Sequence, residues 1–155
     1  MNRRTLFLTA CAAVLARPVY AAACGFEICR SDAEWRERLT EEEYMVLREE
    51  ATERPYTSAL NEETRPGTYH CRGCDLPVYD AAAKYDSETG WPSFFESIPD
   101  AVRTKEDRNF IFQVRTEVHC RRCGSHFGHV FDDGPAPTGK RHCLNGLSLA
   151  FSPAA

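Results

Sequence analysis

Two CxxC pairs constrain the fold of this chain more than any other feature of its sequence. They are Cys71–Cys74, called here the first knuckle, and Cys120–Cys123, the second knuckle. Each CxxC turn presents two sulfur atoms to one ion, and two such turns supply the four soft ligands of a tetrahedral zinc site. Since four thiolates leave no position open for water or substrate, the sequence predicts one structural Zn²⁺ per chain.

The first 21 residues are predicted to be an export signal peptide. Asn2–Thr5 gives a positive start, Leu6–Leu15 is mostly apolar, and Val19–Ala21 has the small residues of a cleavage site. Two arginines directly before an apolar run are typical of twin-arginine signals, which carry folded proteins across a bacterial inner membrane. The apolar run is too short for a stable membrane span. We therefore expect a periplasmic protein without a stable membrane anchor.

Net charge and cysteine number restrict the partners of the mature chain. Cleavage after Ala21 removes three of the 19 basic side chains and none of the 23 acidic ones, which leaves a net charge of −7. Such a surface disfavours nucleic acid and anionic lipid, and we expect a monomer that binds neither. Seven of the 8 cysteines remain. An odd number leaves at least one thiol for metal binding or chemistry.

An oxidising compartment offers the two knuckles an alternative, because each CxxC pair can form a disulfide there. Export of an already folded protein favours zinc over this alternative. A chain that folds in the reducing cytosol can bind the metal before it meets an oxidant.

Local patterns predict a mainly β, antiparallel domain after a short N-terminal helical arm. Ser31–Glu34 and Thr40–Glu43 match the capping-box pattern, so two short helices should follow, the second ending before Pro55. Leu147–Phe151 alternates with period two, as a half-buried strand does. Phe110–Val114 is a further predicted strand, rich in aromatic and β-branched residues. The predicted divisions are signal peptide 1–21, arm 22–66 and core 67–155.

Cys143 belongs to neither knuckle and is the predicted nucleophile. A cation beside a thiol lowers the thiol pKa, and amide, imidazole and carboxylate groups can hydrogen-bond the site and supply a proton. An isolated cysteine is otherwise read as a small hydrophobic residue, so this prediction depends on its neighbours in the sequence. Those neighbours are His126, His129, Asp133, Arg141 and Asn145.

Five pieces of the chain follow one another in a recognisable order: the first knuckle, Tyr85–Phe94, the second knuckle, Ser125–Pro135 and Arg141–Asn145. With these pieces, the segment from Tyr69 to Phe151 resembles the methionine sulfoxide reductase B family, whose members reduce the R epimer of methionine sulfoxide. The resemblance implies a β-tent fold stapled by zinc at the double CxxC site. It also implies a thioredoxin-like dithiol reductant, no organic cofactor, and a role in oxidative stress as a repair enzyme for oxidised methionine in exported proteins.

A reaction of this kind requires a thiolate and an acid together, because a sulfoxide sulfur is electrophilic only when its oxygen is protonated. The resemblance implies that Cys143 attacks, methionine leaves, and Cys143 remains as a sulfenic acid. Arg141 would stabilise the negative sulfur. His129, and after it His126, would supply the proton.

Three further roles follow from the same resemblance. Asp133 would fix the tautomer of a histidine, and Asn145 would hydrogen-bond the active centre. Trp91 would pack against the substrate methyl group. Each residue also has an ordinary structural interpretation: Asp133 in a turn, Trp91 in the core.

The sequence departs from the common family pattern at one position. Many members carry a second cysteine two positions before the tryptophan, and Thr89 stands there in this chain. Outside the knuckles and the active centre the mature chain has Cys24 and Cys29. We predict that Cys29 resolves the Cys143 sulfenic acid, with Cys24 as the alternative partner or relay. A structural disulfide between Cys24 and Cys29 is the competing interpretation.

Two other functional classes remain open at the level of the sequence. One is a non-catalytic zinc-knuckle binding module, which would have no use for Cys143 between Arg141 and Asn145. The other is a disulfide oxidoreductase that cycles its CxxC pairs directly. Zinc content separates the latter from the reductase, because metal-bound thiolates cannot also cycle as a free dithiol.

Overall fold

The computed structural model describes residues 24–110 and 113–155, with the side chains of residues 109, 110 and 113 left aside. The predicted signal peptide and the centre of the predicted strand Phe110–Val114 lie outside these ranges. Within the described ranges, no helix has the length and apolar character needed to cross a bilayer.

The two predicted helices are present and begin where their caps were predicted. They are α1 (Asp32–Arg38) and α2 (Glu41–Glu49). Ser31 and Thr40 each accept a hydrogen bond from the backbone of the glutamate three residues on, and that glutamate bonds back to the cap backbone. These reciprocal bonds satisfy amide groups that the first turn of a helix leaves free.

The second helix ends earlier than the sequence predicted. Pro55 was expected to stop it, but the last helical residue is Glu49 and Glu50 takes a left-handed conformation with φ 56°. A residue in this conformation ends the run of α-helical hydrogen bonds, so no proline is required.

Two antiparallel sheets form the rest of the domain, as predicted. The first has the strand order β2-β1-β9 and the second the order β3-β4-β8-β7-β6-β5. The strands are β1 (Gly67–Cys71), β2 (Pro77–Asp80), β3 (Lys84–Tyr85), β4 (Ser93–Phe94), β5 (Val102–Phe110), β6 (Gln113–Cys120), β7 (His126–Phe131), β8 (Arg141–Leu144) and β9 (Leu149–Pro153).

The C-terminal strand starts two residues later than its alternating pattern indicated. Gly146–Ser148 forms a 3-10 turn, and β9 begins only at Leu149. Arg72 N donates to Ser148 O at 2.9 Å, so this turn is fixed next to the first knuckle rather than in the sheet.

The hydrophobic core joins both sheets to the helical arm. Tyr69 packs edge-on against Phe94 with ring centroids 4.9 Å apart, and Tyr79 lies 4.6 Å from Phe94. Trp35 from α1 and Leu47 from α2 are each 1% exposed and belong to the same cluster. Apolar burial on this scale supplies the main free energy of folding, so the arm and the sheets stabilise one another.

Candidate active site

A row of polar side chains runs straight across the six-stranded sheet, through the predicted nucleophile. Residues directly opposite one another on antiparallel strands lie on the same face of a sheet. Cys143 on β8 is therefore flanked by His129 of β7 on one side and Ser93 of β4 on the other. In order, the row is Lys105, Glu117, His129, Cys143, Ser93 and Tyr85.

Hydroxyl groups surround the sulfur of Cys143. Thr89 Oγ1 lies 3.9 Å from Cys143 Sγ. Ser87 Oγ bonds both to Thr89 Oγ1 at 2.8 Å and to Ser93 Oγ at 2.7 Å, which fixes the three hydroxyls relative to one another. The residue at the usual resolving position thus contacts the nucleophile through oxygen instead of sulfur.

The predicted lowering of the thiol pKa is wrong for the protein in this state. Burial raises the pKa of Cys143, against the opposing effects of the Thr89 hydrogen bond and the Arg141 charge. Arg141 acts in the expected direction, but loss of hydration of the thiolate outweighs it. At neutral pH the thiol keeps its proton until a base removes it.

Within residues 24–110 and 113–155, Asp133 bonds to Arg141 and not to a histidine, which corrects the role expected for it. Its two carboxylate oxygens accept from Arg141 Nε at 2.9 Å and from Arg141 Nη2 at 2.8 Å. This bidentate pair lowers the pKa of Asp133 and raises that of Arg141. The guanidinium also lies 4.4 Å from the centroid of the Phe131 ring. Asp133 therefore orients Arg141 beside the thiol.

His129 has a different carboxylate partner, one that the sequence did not reveal. Its Nε2 lies 2.8 Å from Asp107 Oδ2 on β5, and the same oxygen accepts from Arg115 at 2.7 Å. Burial lowers the pKa of His129, and the hydrogen bond to Asp107 opposes this shift. His129 is therefore neutral near pH 7, with one ring nitrogen able to accept a proton.

His126 sits beside His129 in a more buried position. The two ring centroids are 5.6 Å apart and the rings meet edge-on. His126 Nδ1 lies 2.9 Å from Glu117 Oε1, and both side chains are 3% exposed. Burial lowers the pKa of His126 to about 4. Among the described residues its buried Nε2 has no hydrogen-bond partner.

Asn145 and Trp91 are both tied to the helical arm, through Glu53. Asn145 accepts from Glu53 N at 3.0 Å and donates to Phe127 O at 3.0 Å, so its amide joins backbone segments. Trp91 Nε1 donates to Glu53 O at 3.0 Å. The Glu53 carboxylate accepts from the backbone amides of Gly146 and Leu147. Asn145 thus hydrogen-bonds the backbone around the active centre.

Two clefts meet at Tyr85, which lies in the same row across the sheet as Cys143. One, of about 350 Å³, is lined by Trp91, Tyr56 and Tyr85 among others. The other, of about 460 Å³, is lined by Tyr85, Thr89, Arg141 and Asp133. Packing of Trp91 against a substrate methyl group stays a prediction.

The four knuckle sulfurs meet at one point, as the spacing predicted. All four lie within 4.8 Å of one another. Cys71 Sγ is 3.7 Å from Cys123 Sγ, and Cys74 Sγ is 3.5 Å from Cys120 Sγ. Tetrahedral zinc with Zn–S bonds of about 2.3 Å requires sulfurs about 3.8 Å apart, so the donor set fits. The four thiols are not disulfide-bonded, which goes against the alternative of paired disulfides.

The arm cysteines are joined to each other in this structure. Cys24 and Cys29 form a disulfide, the competing interpretation given above. The loop that they close lies on the second knuckle, where Ile28 N donates to Arg122 O at 3.0 Å. Resolution of Cys143 by Cys29 stays a prediction, and it now requires that this disulfide be opened first.

Sequence reasoning missed Asp107, Glu117 and Glu53. A signal was present for Glu117, because the charged residues Arg115 and Glu117 stand on either side of Thr116 and so share one face of a strand, whereas residues 105–108 are all charged and do not single out Asp107. Their histidine partners depend on sheet register, which the sequence did not supply. For Glu53 we find no local signal.

Comparisons with known proteins show which proteins this chain is similar to. The SelR domain family matches residues 39–153. Peptide methionine sulfoxide reductase MsrB of Agrobacterium fabrum is 46% identical over 127 residues, which cover 82% of this chain and 94% of that protein. The MsrB of Methanosarcina barkeri is 50% identical over 123 residues, covering 79% of this chain and 86% of that one.

A plant relative is longer than this chain. Peptide methionine sulfoxide reductase B1, chloroplastic, of Oryza sativa subsp. japonica is 50% identical over 119 residues, which cover 77% of this chain but 56% of the rice protein. Among solved structures, the Mis18 'Yippee-like' domain aligns with a TM-score of 0.48 at 19% identity, over 59% of this chain and 99% of that one. A structural similarity this weak indicates neither a function nor a family for this chain.

Proposed function

This chain belongs to the SelR domain family and is a peptide methionine sulfoxide reductase of the B type, which acts on R-sulfoxides, and we propose that Cys143 is its nucleophile. Cys143 takes the oxygen of the sulfoxide and becomes a sulfenic acid, while methionine leaves as the thioether. The cysteine sulfur loses two electrons and the methionine sulfur gains them. The thiol proton ends on the sulfenic oxygen, so atoms and charge balance.

His129 moves the proton in this reaction. It is neutral near pH 7 and stands opposite Cys143 on the neighbouring strand. It accepts the thiol proton as the sulfur attacks and delivers it to the sulfoxide oxygen as the S–O bond of the substrate breaks. Arg141, held by Asp133, stabilises the thiolate in between.

One observation carries the proposal, namely the direct register pairing of Cys143 with His129. An assay on each separated epimer, with dithiothreitol as electron source, tests it. The R epimer should be reduced and the S epimer left. Cys143→Ser should lose this activity while it keeps the fold and the metal, because an alcohol is far less acidic than a thiol. Turnover by Cys143→Ser would remove this residue from the mechanism.

The double knuckle holds zinc as a structural ion. Zinc at this site would join the β1–β2 turn to the β6–β7 turn and stabilise the fold. Because the four ligands are cysteines, the chemistry stays with Cys143. The two other functional classes receive no support from the comparisons, since the relatives in several kingdoms carry the reductase name.

The reductant and the setting are further parts of the proposal. A thioredoxin-like dithiol protein reduces the sulfenic acid, yielding thiol, water and a disulfide in the reductant. The enzyme acts as a monomer on oxidised methionine in exported proteins of the periplasm. Support comes from the apolar run and paired arginines of the first 21 residues.

Export has its own test in the source cell. The mature protein should begin near Ala22 and fractionate with the periplasm. Changing Arg3 and Arg4 to lysine should trap the precursor in the cytosol if the twin-arginine route is used. Unchanged export of that variant points to the general secretory route, and an uncleaved cytosolic chain contradicts the proposal.

A further inference from the structure

Asp107 occupies a position next to the active centre that neither the motif of the reductase nor its sequence neighbours indicate. It lies on β5, which the strands β6 and β7 separate from the Cys143 strand β8, and its side chain is 5% exposed. Its Oδ2 accepts a hydrogen bond from Arg115 at 2.7 Å and lies 2.8 Å from His129 Nε2. Burying a carboxylate costs free energy unless its oxygens are hydrogen-bonded or paired with a positive charge.

We propose that Asp107 is a positioning residue of the reaction, which fixes the proton of His129 on Nε2 and keeps Nδ1 as the nitrogen that exchanges a proton with Cys143 and the substrate. This inference deepens the proposed function and rests on it.

The tautomer follows from the ion pair. Arg115 makes Asp107 a carboxylate, which can only accept hydrogen bonds. Nε2 of His129 must then donate, in the neutral and in the protonated ring alike. The change in protonation is left to Nδ1, and the carboxylate also stabilises the imidazolium that forms when Nδ1 takes the thiol proton.

Neighbouring groups set the electrostatic surroundings of His129 without taking over this role. Asp133 is bonded to Arg141 in bidentate geometry, and Glu117 is bonded to His126. Among the described residues, the carboxylate that hydrogen-bonds the His129 ring is therefore that of Asp107. The charged and titratable groups that face the ring are Asp107 and Lys105 on β5, Arg115 and Glu117 on β6, His126 on β7 and Cys143 on β8.

The direct test reads the tautomer in the zinc-bound, wild-type protein without substrate. Two-bond proton–nitrogen correlation spectra distinguish protonated from unprotonated imidazole nitrogens, and His129→Gln identifies the signals by removing them. Near pH 7, Nε2 of His129 should have the shift of a protonated nitrogen and Nδ1 that of an unprotonated one. A proton on Nδ1 overturns the proposal.

Variants add a kinetic readout. Asp107→Asn preserves the shape of the side chain but removes its charge, and its amide can donate to Nε2 and select the other tautomer. We expect kcat to fall roughly 100-fold or more with little change in KM, the range of general acid–base effects. Because the Asp107 hydrogen bond raises the pKa of His129, the histidine limb of the kcat/KM profile should move to lower pH.

Glu106→Gln is the matched control. It changes the next residue of the same strand, which is exposed and paired with Arg108, and its activity should equal that of the wild type. An Asp107→Asn variant with normal zinc content, unchanged kcat and an unmoved limb overturns the proposal. If that variant fails to fold, the wild-type spectrum decides. The spectrum needs no turnover, so a proton on Nδ1 would contradict the role of Asp107 without contradicting the reductase function. Inactive wild-type protein would contradict the reductase function without bearing on the tautomer.

Discussion

At the scale of single residues, the active centre combines a buried thiol with a neutral base. Burial raises the pKa of Cys143 and also lowers that of His129. Both shifts favour the neutral pair, thiol and imidazole, over the ion pair in the absence of substrate. The thiolate then forms only when the proton moves, which limits its exposure to other oxidants.

Thr89 supplies a test of this balance. Its hydroxyl group is 3.9 Å from the sulfur and its hydrogen bond lowers the pKa of Cys143. Thr89→Val removes this hydrogen bond at nearly constant volume, whereas Thr89→Ser keeps it. Alkylation of Cys143 by iodoacetamide at pH 7.5 should slow roughly fivefold in the valine variant, the equivalent of one hydrogen bond of about 1 kcal/mol.

The serine variant should react like the wild type, and the alkylation profile of the valine variant should move to higher pH because its thiol is less acidic. Equal profiles for valine and threonine at position 89 would show that the hydroxyl does not stabilise the thiolate.

At the scale of elements, the sheet register brings together residues that lie far apart in the chain. The capping boxes before α1 and α2 could be predicted, because a cap and its partner are three residues apart. The knuckles could be predicted as well, since CxxC is a local motif. Asp107 and His129 are 22 residues apart and meet diagonally across three strands. No local pattern specifies that contact.

The same reason explains the incorrect role of Asp133. It precedes Arg141 by eight residues in the β7–β8 connection, and the sequence predicted either a histidine partner or a structural role in the turn. In the structure, the β7–β8 hairpin places Asp133 next to Arg141, which donates to both of its carboxylate oxygens. Asn145 also makes a contact that no local pattern specifies, because it bonds to Glu53, which is 92 residues away in the chain.

The knuckles allow a prediction about stability. Cys71→Ser should lower the zinc content from one ion per chain and reduce the melting temperature by roughly 10 °C or more, because structural zinc binding is folding free energy. Cys143→Ser, outside the donor set, is the matched control and should keep both values. A metal-free wild-type protein with two knuckle disulfides would contradict this prediction.

The arm allows another, because Cys24 and Cys29 are the cysteines outside the knuckles and the active centre in the described part of the chain. Peptide mapping after one turnover without reductant distinguishes two outcomes. A Cys29–Cys143 disulfide would support resolution by the arm and would require the Cys24–Cys29 bond to exchange. An intact Cys24–Cys29 disulfide with Cys143 as sulfenic acid would make the arm structural and leave regeneration to the external dithiol.

At the scale of the whole molecule, the helical arm joins the hydrophobic core to residues around the active centre. The arm packs into the common core, and through Glu53 it bonds to both Trp91 and Asn145. Cys143 stays the predicted nucleophile, and the mainly β architecture could be predicted from the sequence. The dependence of the Trp91 side of the site on the arm could not, because it rests on long-range backbone hydrogen bonds.

We propose that Cys143 of this chain reduces methionine R-sulfoxide by taking up its oxygen. A single-turnover experiment without reductant can follow that oxygen transfer, with each epimer supplied in excess and methionine and protein mass measured together. We expect one methionine per chain from the R epimer, none from the S epimer, and a matching two-electron oxidation on the peptide of Cys143, trapped with dimedone or found as a disulfide. Methionine formed while Cys143 stays reduced, or formed equally by Cys143→Ser, would contradict it.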